Sequence, residues 1–442
     1  MPHLLYVAYG FPPAVKSGAY RMRAVANAFA NRGWKVTVLS LADSAWDRES
    51  GIDETLLAGI AENITRFPVN AVREDLEPDI RLYSELRARS PKEWRAKFMV
   101  DSTKDFPEPT FGGWRRTYEE AALAVHEQTP VDFTLVSPQP NVQVTAALRL
   151  HEQYGIPYAV DFRDGWSLDV VAGVEAFGLD SAEGLWEQRA VLGATQVWFV
   201  NSPIRDFYAR RYPSAQDRMR VVRNGFDADL TDHEPFGGPA TKPLHFGYLG
   251  TVSFKGDHLK AMLDGWQHAR ATDPNLRDAT LTFRGHIGAG FAKATNSLTR
   301  MIADATEYGV SFGGPVAKAD VGRVYGQWDV LVLALIGGEY VTSGKVYEYI
   351  ATGHPIMSVH AQSHAAVEVL DGYPSWVRPK SVDGLAVDGL SASFSEAAKL
   401  ALEMTAESHE LAREHASHFA RARVLDPAVN ELAEIVERQV ES

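Results

Sequence analysis

The sequence alternates short apolar runs with longer helical patterns, and it does so in two series. In the first, the apolar run Leu4–Tyr9 precedes a helical pattern over Ala19–Asn31 and a second apolar run at Trp34–Leu41. A strand, a helix and a strand in this order make a βαβ unit, which pairs its strands in parallel. Residues 229–243 interrupt the rhythm with charged residues, prolines and glycines, as a linker does. The pattern predicts two α/β domains with doubly wound parallel sheets.

The other predicted elements follow the same alternation. The first series continues with strands at Phe133–Val136, Tyr158–Phe162, Val197–Val200 and Met219–Val222 and helices at Val142–Tyr154 and Leu185–Leu192. The second series has strands at Leu244–Leu249, Ala279–Phe283, Val330–Leu335 and Pro355–Val359, helices near Leu259–Arg270, Leu298–Tyr308 and Val346–Thr352, and closing helices at Phe394–Met404, Ser408–Ala420 and Pro427–Val440. We expect domains over 1–228 and 244–420. Open parallel sheets bind ligands at the carboxyl ends of their strands, so a site in the cleft between the domains is expected.

Charge and composition exclude several classes of function. The 442 residues include 44 Lys and Arg against 57 Asp and Glu, a net charge of −13 that argues against a nucleic-acid binder. The absence of cysteine excludes disulfides, thiolate catalysis and Cys-ligated zinc. The sequence lacks the ~18 consecutive apolar residues needed to span a bilayer, and its first residues do not read as a signal peptide. We therefore expect a cytoplasmic protein.

An irregular insertion is expected at about 42–129. Within it, residues 81–116 hold nine Lys and Arg against five Asp and Glu, together with Trp94, Phe98, Met99 and Trp114. Two interpretations stay open. Such charge runs are usually the solvated face of a helical insertion with a few core anchors. A peripheral contact with the cytoplasmic face of a membrane, or with a lipid acceptor, is the alternative.

The strongest local motif follows the predicted strand Val330–Leu335 and opens a helix. It reads Gly337-Gly-Glu-Tyr-Val-Thr-Ser-Gly-Lys-Val-Tyr-Glu-Tyr-Ile-Ala-Thr-Gly-His-Pro355. Free backbone N–H groups at a helix start, with Thr342, Ser343 and Lys345 nearby, suit an anion. The motif is not a P-loop, because five residues separate Gly338 from Gly344 and Val346 replaces the Ser or Thr that would hold Mg²⁺. An ordinary capped helix ending at Gly353 is the structural alternative.

Four weaker motifs also lie at strand ends. Ser17 and Gly18 precede the first helix, where a small residue lets a ligand approach backbone N–H groups. The run Asp161-Phe-Arg-Asp164 is either functional or a structural Arg–Asp pair. Lys255 follows a glycine turn and suits a phosphate, or is a solvated lysine. Arg284 begins a glycine-rich stretch that does not match a dinucleotide fingerprint. No metal site is expected, since Asp227-Ala-Asp229 lies at a turn and His360 and His364 lack the Glu of a zinc-protease motif.

Taken together, these segments resemble family 4 of the retaining glycosyltransferases. The resemblance rests on Tyr9-Gly-Phe-Pro-Pro with Ser17-Gly-Ala-Tyr-Arg21, Val136-Ser-Pro-Gln-Pro140, Pro157-Tyr-Ala-Val-Asp-Phe-Arg-Asp-Gly-Trp166, Val222-Arg-Asn-Gly-Phe-Asp227, Tyr248-Leu-Gly250 and the run Ser343–Pro355. It implies the GT-B fold, two Rossmann-like domains facing a cleft, and a bacterial branch active in exopolysaccharide, lipid-linked glycan or natural-product glycosylation. In this fold the chain end, 421–442, is expected to pack back on the first domain.

The resemblance also implies roles for individual residues. Lys255 matches the lysine that contacts the donor diphosphate, while Thr251 stands where a second cation is usual, so that Arg284 or Lys345 would have to supply the lost charge. Glu348 matches the second glutamate of the family's E-x7-E signature. Glu339 would be the first, but eight residues intervene, and Tyr340 stands at the strict spacing. Backbone amides of 340–344, including Gly344, are the alternative contact to the sugar.

On the side of the first domain, the resemblance matches Ser17 and Gly18 to a glycine loop that approaches the diphosphate and the acceptor. Arg163, flanked by Asp164, stands where many members carry a histidine. The predicted catalytic residues are Lys255, Glu339, Arg163 and Asp164. Gly250, Thr251 and the residues already named around the helix at 344 are predicted to bind the nucleotide-sugar.

The resemblance implies a metal-independent retaining transfer from a nucleoside-diphosphate sugar to a glycan, lipid-linked or small-molecule acceptor, without a cofactor. Lys255 and helix N-termini would stabilise the departing diphosphate. Two other functions stay open: a GT-B nucleotide-sugar 2-epimerase or hydrolase, and a non-catalytic sugar-nucleotide-binding homologue. The sequence leaves the sugar, the base, the acceptor and the oligomeric state undetermined.

Overall fold

The computed structural model describes residues 1–228, 236–252, 256–288, 292–317 and 320–441. The chain divides into two compact units. The first contains Met1–Asp169, Val174–Arg223 and Arg421–Ser442, and the second contains Val170–Gly173 and Asn224–Ala420. The first division falls at 223/224, a few residues before the predicted position. Residues 229–235 of the predicted linker at 229–243 lie outside the described residues.

The first unit is built on a seven-stranded parallel sheet in the order β3-β2-β1-β4-β5-β8-β9. Its strands are β1 (His3–Val7), β2 (Lys35–Leu41), β3 (Ile64–Val69), β4 (Phe133–Val136), β5 (Tyr158–Phe162), β8 (Gln196–Phe199) and β9 (Met219–Val221), and a small antiparallel pair comprises β6 (Leu168–Asp169) and β7 (Val174–Glu175). Its helices are α1 (Ala19–Asn31), α2 (Asp43–Trp46), α3 (Glu85–Arg89), α4 (Pro91–Ser102), α5 (Arg115–Gln128), α6 (Val144–Tyr154), α7 (Ala182–Leu192) and α8 (Ser202–Arg211).

The central strands of this sheet are buried along their whole length. β1, β4 and β5 are buried at every position because helices cover both faces of a parallel sheet. The edge strand β3 has a mixed pattern of half-buried and exposed residues. The sequence analysis placed β3 in the irregular insertion and did not predict it. Part of that insertion is therefore a regular extension of the sheet.

The second unit is built on a six-stranded parallel sheet in the order β12-β11-β10-β13-β14-β15. Its strands are β10 (His245–Leu249), β11 (Thr280–Arg284), β12 (Val310–Phe312), β13 (Val330–Ala334), β14 (Ile356–Val359) and β15 (Trp376–Val377). Its helices are α9 (Gly256–Thr272), α10 (Ala292–Asp304), α11 (Val321–Tyr325), α12 (Gly344–Thr352), α13 (Val367–Leu370), α14 (Val387–Glu403) and α15 (Ala406–Ser417). The edge strands β12 and β15 were not predicted. Trp266 and Phe394 pack edge to face at the centre of its core.

The last helix, α16 (Arg421–Glu441), belongs to the first unit. It packs against α1. Leu425, Val429 and Leu432 of α16 are buried in the same core cluster as Met22 and Val25 of α1. The two parallel sheets with flanking helices confirm the predicted α/β, Rossmann-like fold class. In the part of the chain described, no helix is long and apolar enough to cross a membrane.

Candidate functional site

The carboxyl ends of three neighbouring strands meet in the second unit. β10 lies between β11 and β13 in the sheet, so the segments that follow Leu249, Arg284 and Ala334 emerge at one edge. The loop after β13 leads to α12, whose N-cap residue Ser343 accepts a hydrogen bond from the backbone N–H of Lys345 at 3.3 Å. The N-terminus of a helix of nine residues and two glycine-containing turns therefore share this edge of the sheet.

Lys345 reaches from the start of α12 to the turn after β10. Its Nζ lies 3.2 Å from the hydroxyl of Tyr248 and 4.9 Å from the centre of that ring. A β-carbon on Gly250 would lie 1.9 Å from the same nitrogen, so the ammonium group rests directly against the glycine backbone. Burial lowers the pKa of Lys345 below its usual value, while the nearby carboxylate of Glu348 acts to raise it. The result is a partly buried cation beside a helix N-terminus.

Glycines bring the turns after β10 and β11 into close contact. Gly250 has a φ of 154° and Gly285 a φ of 117°, and a β-carbon on Gly285 would lie 2.2 Å from the carbonyl oxygen of Gly250. The backbone N–H of Gly250 donates to the carbonyl of Arg284 at 2.8 Å. Side chains at either glycine are therefore excluded by sterics. Thr251 follows in an exposed position.

The side chain of Arg284 binds its own loop. Its Nε donates to the carbonyl of Gly314 at 3.0 Å, and its aliphatic part packs against Gly313. Of the two cations that could replace the charge missing at Thr251, the structure places Lys345 at the turn after β10. Arg284 holds the segment that follows β12.

The remaining predicted residues of the second unit lie on or before α12. Glu348 accepts a hydrogen bond from the buried hydroxyl of Tyr325 at 2.8 Å. Glu339 is exposed in the preceding loop, where Tyr340 and Thr342 are partly buried. Lys255, the predicted catalytic lysine, lies outside the described residues. Its assigned role, like that of Glu339, stays a prediction.

In the first unit, Gly18 and Arg163 are in direct contact. A β-carbon on Gly18 would lie 2.0 Å from Nη1 of Arg163, so the guanidinium covers the backbone just before α1. Nη2 of Arg163 donates to Oε1 of Gln139 at 3.0 Å, and Nε2 of Gln139 donates to Asp164 at 2.9 Å. Ser17 lies on the wall of the same cavity. The structure thus brings Ser17, Gly18, Arg163 and Asp164 together.

Asp161 has a separate role. It is buried and accepts two hydrogen bonds from Arg21, at 2.8 and 2.6 Å, and one from Ser137 at 3.1 Å. Arg21 in turn donates to the carbonyl of Arg223 at 2.8 Å. Asp161 therefore forms the structural Arg–Asp pair that the sequence allowed, with Arg21 as its partner, while Arg163 of the same motif lines a cavity.

The cavity beside Gly18 has a volume of about 360 Å³. Four of its lining residues come from the irregular insertion and were not predicted from sequence: Glu49, Arg73, Glu108 and Phe111. Tyr9 also lines it, and its hydroxyl donates to Glu49 at 2.5 Å. Burial and the adjacent Glu49 carboxylate raise the pKa of Tyr9, so this hydroxyl keeps its proton at neutral pH.

A second cavity, of about 270 Å³, lies in the second unit. Its wall includes Asp329 and Pro355, which immediately precede β13 and β14. It therefore lies at the amino ends of those strands, and Lys345 and Gly250 are at the opposite edge. We base the candidate site on the carboxyl edge, where the glycine turns and the helix N-terminus meet. Within the ranges that the structure describes, no three His, Asp or Glu side chains are placed to hold a metal ion.

Comparisons with solved structures identify the fold. A glycosyltransferase from Rickettsia africae matches with a TM-score of 0.67 and 12% identity over 100% of this chain and 99% of that one. Anabaena HepE, solved in complex with UDP, matches with a TM-score of 0.60 and 16% identity over 98% and 100% of the two chains. A protein described as a UDP-N-acetylglucosamine 2-epimerase, from Listeria monocytogenes, matches with a TM-score of 0.55 and 11% identity over 100% and 97%.

A scan against protein-family models found no match, and neither did a search of the curated proteins. The protein is therefore classified by its fold alone. The chain has the GT-B fold, with two Rossmann-like units built on parallel sheets of seven and six strands. This confirms the fold that the sequence resemblance implied.

Proposed function

We propose that the protein is a glycosyltransferase that uses a nucleoside-diphosphate sugar as donor. The observation that carries this proposal is the partly buried ammonium group of Lys345, held against Gly250 at the N-terminus of α12. A diphosphate seated there would meet a cation, the positive end of the α12 dipole and the backbone of Gly250. The GT-B neighbours support the donor class, because HepE has been solved with UDP and with UDP-glucose.

During the proposed reaction, negative charge develops on the departing diphosphate at this position. The bond between the anomeric carbon and the diphosphate oxygen breaks, and its electron pair leaves with the diphosphate. The acceptor hydroxyl oxygen bonds to the anomeric carbon, and its proton passes to the departing phosphate oxygen. Lys345 and the α12 amides stabilise the negative charge that develops, and fixed donors of this kind contribute ~10²–10³ in rate each. Attack from the departing group's face retains the anomeric configuration, as in family 4, and needs neither a metal ion nor a protein base.

Lys345→Met tests the donor site. Methionine keeps the apolar stem and removes the charge, and since burial disfavours the ammonium group, the unliganded variant should be at least as stable as wild type. The nucleotide should nevertheless lose its stabilising effect. A thermal-shift screen with UDP, GDP, dTDP and ADP identifies the base that raises the melting temperature of wild type by mass action. With that nucleotide, the variant's shift should vanish and transfer should fall ~10²-fold or more.

The matched control is Lys260→Met. Lys260 lies on α9, is 65% exposed and pairs with Asp264, so the change removes one charge without touching the site. Its nucleotide shift should equal that of wild type. A full nucleotide shift in Lys345→Met would contradict the assignment of the diphosphate to this turn.

The epimerase neighbour keeps a second function open. A 2-epimerase or hydrolase converts its nucleotide-sugar without an acceptor, whereas a transferase needs one. Incubating wild type with the stabilising nucleotide-sugar alone separates the two by the appearance of an epimer or of free sugar. A chain that binds the nucleotide-sugar but neither converts nor transfers it would be a non-catalytic homologue. We propose a cytoplasmic enzyme acting on a glycan, lipid-linked or small-molecule acceptor.

A further inference from the structure

The cavity of the first unit contains a cation whose charge is not balanced by a neighbouring carboxylate. Arg163 uses Nη2 to donate to Gln139. Its Nε is buried and has no hydrogen-bond partner, and in the described ranges no carboxylate oxygen lies within 4.0 Å of the guanidinium. The two acidic residues nearest in sequence have other partners. Asp161 forms an ion pair with Arg21, and Asp164 accepts a hydrogen bond from Gln139. An arginine with N–H groups left over on a cavity wall is a recognition group for carboxylate or phosphate.

The other charged side chains of the wall already have hydrogen-bond or ion-pair partners. Glu49 accepts from Tyr9 and forms an ion pair with Lys16 at 3.3 Å. Arg73 binds Asp75 through two hydrogen bonds of 2.7 Å. Glu108 accepts the backbone N–H groups of residues 141 and 142 at 2.8 Å. Arg163 is therefore the group on this wall that a ligand anion would neutralise.

The rest of the wall suits a small hydroxylated molecule. Tyr9 and Phe111 line the cavity, and their rings pack edge to face at 6.4 Å. Aromatic rings pack well against the C–H face of a sugar or polyol. Gln139, Ser17 and the Glu49 carboxylate offer hydrogen bonds to hydroxyl groups. A volume of about 360 Å³ lies at the small end of the range for ligand sites, ~300–1,000 Å³, and suits a single ring better than a chain of sugars.

We propose that this cavity binds the acceptor, a single-ring sugar or polyol that carries a phosphate or carboxylate group, with the anion on Arg163. That the ligand is an acceptor rests on the proposed function, whereas its binding to the cavity does not. The proposal also accounts for Gly18. A side chain at that position would push the guanidinium away from the cavity wall.

Two variants disrupt the anion contact of Arg163 in different ways. Arg163→Gln removes its charge. Gly18→Ala keeps Arg163 but must displace its guanidinium, since the new β-carbon would lie 2.0 Å from Nη1. Gly18 has φ −74° and ψ −20°, which alanine adopts freely, and the displaced atoms are the end of a flexible side chain, so the fold should survive. Gly178→Ala is the control, because a β-carbon there meets no atom within 4 Å.

Calorimetric titration of the full chain tests the proposal with four probes: glucose 6-phosphate, glucuronate, glucose and inorganic phosphate. We expect wild type and Gly178→Ala to bind at least one anionic sugar ~10-fold or more tightly than glucose. Both Arg163→Gln and Gly18→Ala should lose that preference. The anionic sugar that binds more tightly identifies the group as phosphate or carboxylate.

Three outcomes would overturn the proposal. They are equal binding of glucose and the anionic sugars, no binding of any sugar probe, and unchanged binding in both variants. If inorganic phosphate binds as tightly as glucose 6-phosphate, the cavity recognises the anion alone, and the proposal of a hydroxylated ligand is contradicted. A parallel nucleotide titration keeps the two proposals apart. If the nucleotide fails to bind wild type, the donor assignment fails, whereas the cavity proposal depends only on the sugar probes.

Discussion

Asp161 and Arg163 show how two neighbouring residues of one short motif take different functions. Both lie at the carboxyl end of β5. Asp161 is fully buried and forms a two-bond ion pair with Arg21 of α1, which connects the sheet to the first helix. The hydroxyl of Tyr6 in β1 reaches the same network through Ser137, at 2.8 Å. The buried network holds the start of α1, and with it the turn on which the guanidinium of Arg163 lies.

Asp161→Asn should strongly destabilise the first unit. The amide cannot neutralise Arg21, and removing one partner of a buried ion pair costs about 3–5 kcal/mol because an uncompensated charge stays buried. The unfolding free energy of the first unit, from urea denaturation followed by circular dichroism, should fall by that amount. Asp164→Asn is the matched control. Asp164 is exposed, so its change should stay within ~0.5 kcal/mol. Equal losses in both variants would refute the buried-pair argument.

At the scale of elements, the sequence predicted the carboxyl edge of the second unit well. A buried strand, a glycine turn and a capped helix are local patterns, and β10, β13 and α12 were each predicted near their observed places. The sequence left open whether Arg284 or Lys345 supplies the charge missing at Thr251, because the answer depends on which strands are neighbours. The cavity of the first unit could not be predicted in full. Glu49, Arg73 and Glu108 reach it from the irregular insertion through long-range packing, which leaves no periodic signal.

The segment after β14 carries two buried histidines whose protonation opposes folding. His360 and His364 are each 1% exposed, and their rings lie 5.0 Å apart. Nδ1 of His360 lies 2.8 Å from the carbonyl of Ala361, and Nδ1 of His364 accepts the backbone N–H of Ala366 at 3.0 Å. Burial lowers the pKa of both histidines, and the neighbouring imidazole helps to lower that of His364 to about 3.

The second unit should therefore lose stability on acidification. The pKa values of both histidines are below about 6.5 in the folded state, so the unfolded state binds more protons in this range. The unfolding free energy therefore falls as the pH drops from 6.5 toward 3. Each histidine contributes at most about 1.4 kcal/mol per pH unit. His364→Asn keeps an acceptor for the N–H of Ala366 and should flatten this dependence in urea denaturation between pH 7 and 5. His268→Asn, at a histidine that is 47% exposed, should retain the wild-type slope, and the same slope in His364→Asn would contradict the argument.

At the scale of the whole molecule, the chain leaves the first unit at residue 223 and contributes to it again from residue 421. α16 supplies buried apolar residues to the core of the first unit, and Arg220 of β9 binds Glu431 of α16. The core of the first unit thus includes a helix that follows the second unit in sequence. The protein is acidic overall, with a net charge of −13, yet each unit presents a cation, Lys345 or Arg163, where a ligand anion is proposed.

Leu432→Ala tests whether the last helix stabilises the first unit. Leu432 is fully buried, and such truncations cost about 2–5 kcal/mol through lost apolar contact and the cavity left behind. Hydrogen exchange followed by mass spectrometry should show faster exchange in β1 and β4, although α16 follows the second unit in sequence. The matched variant is Leu281→Ala, which truncates a fully buried leucine of β11 in the second unit. It should instead accelerate exchange in β10 and β13. If Leu432→Ala accelerated exchange in β10 and left β1 unchanged, α16 would belong energetically to the second unit.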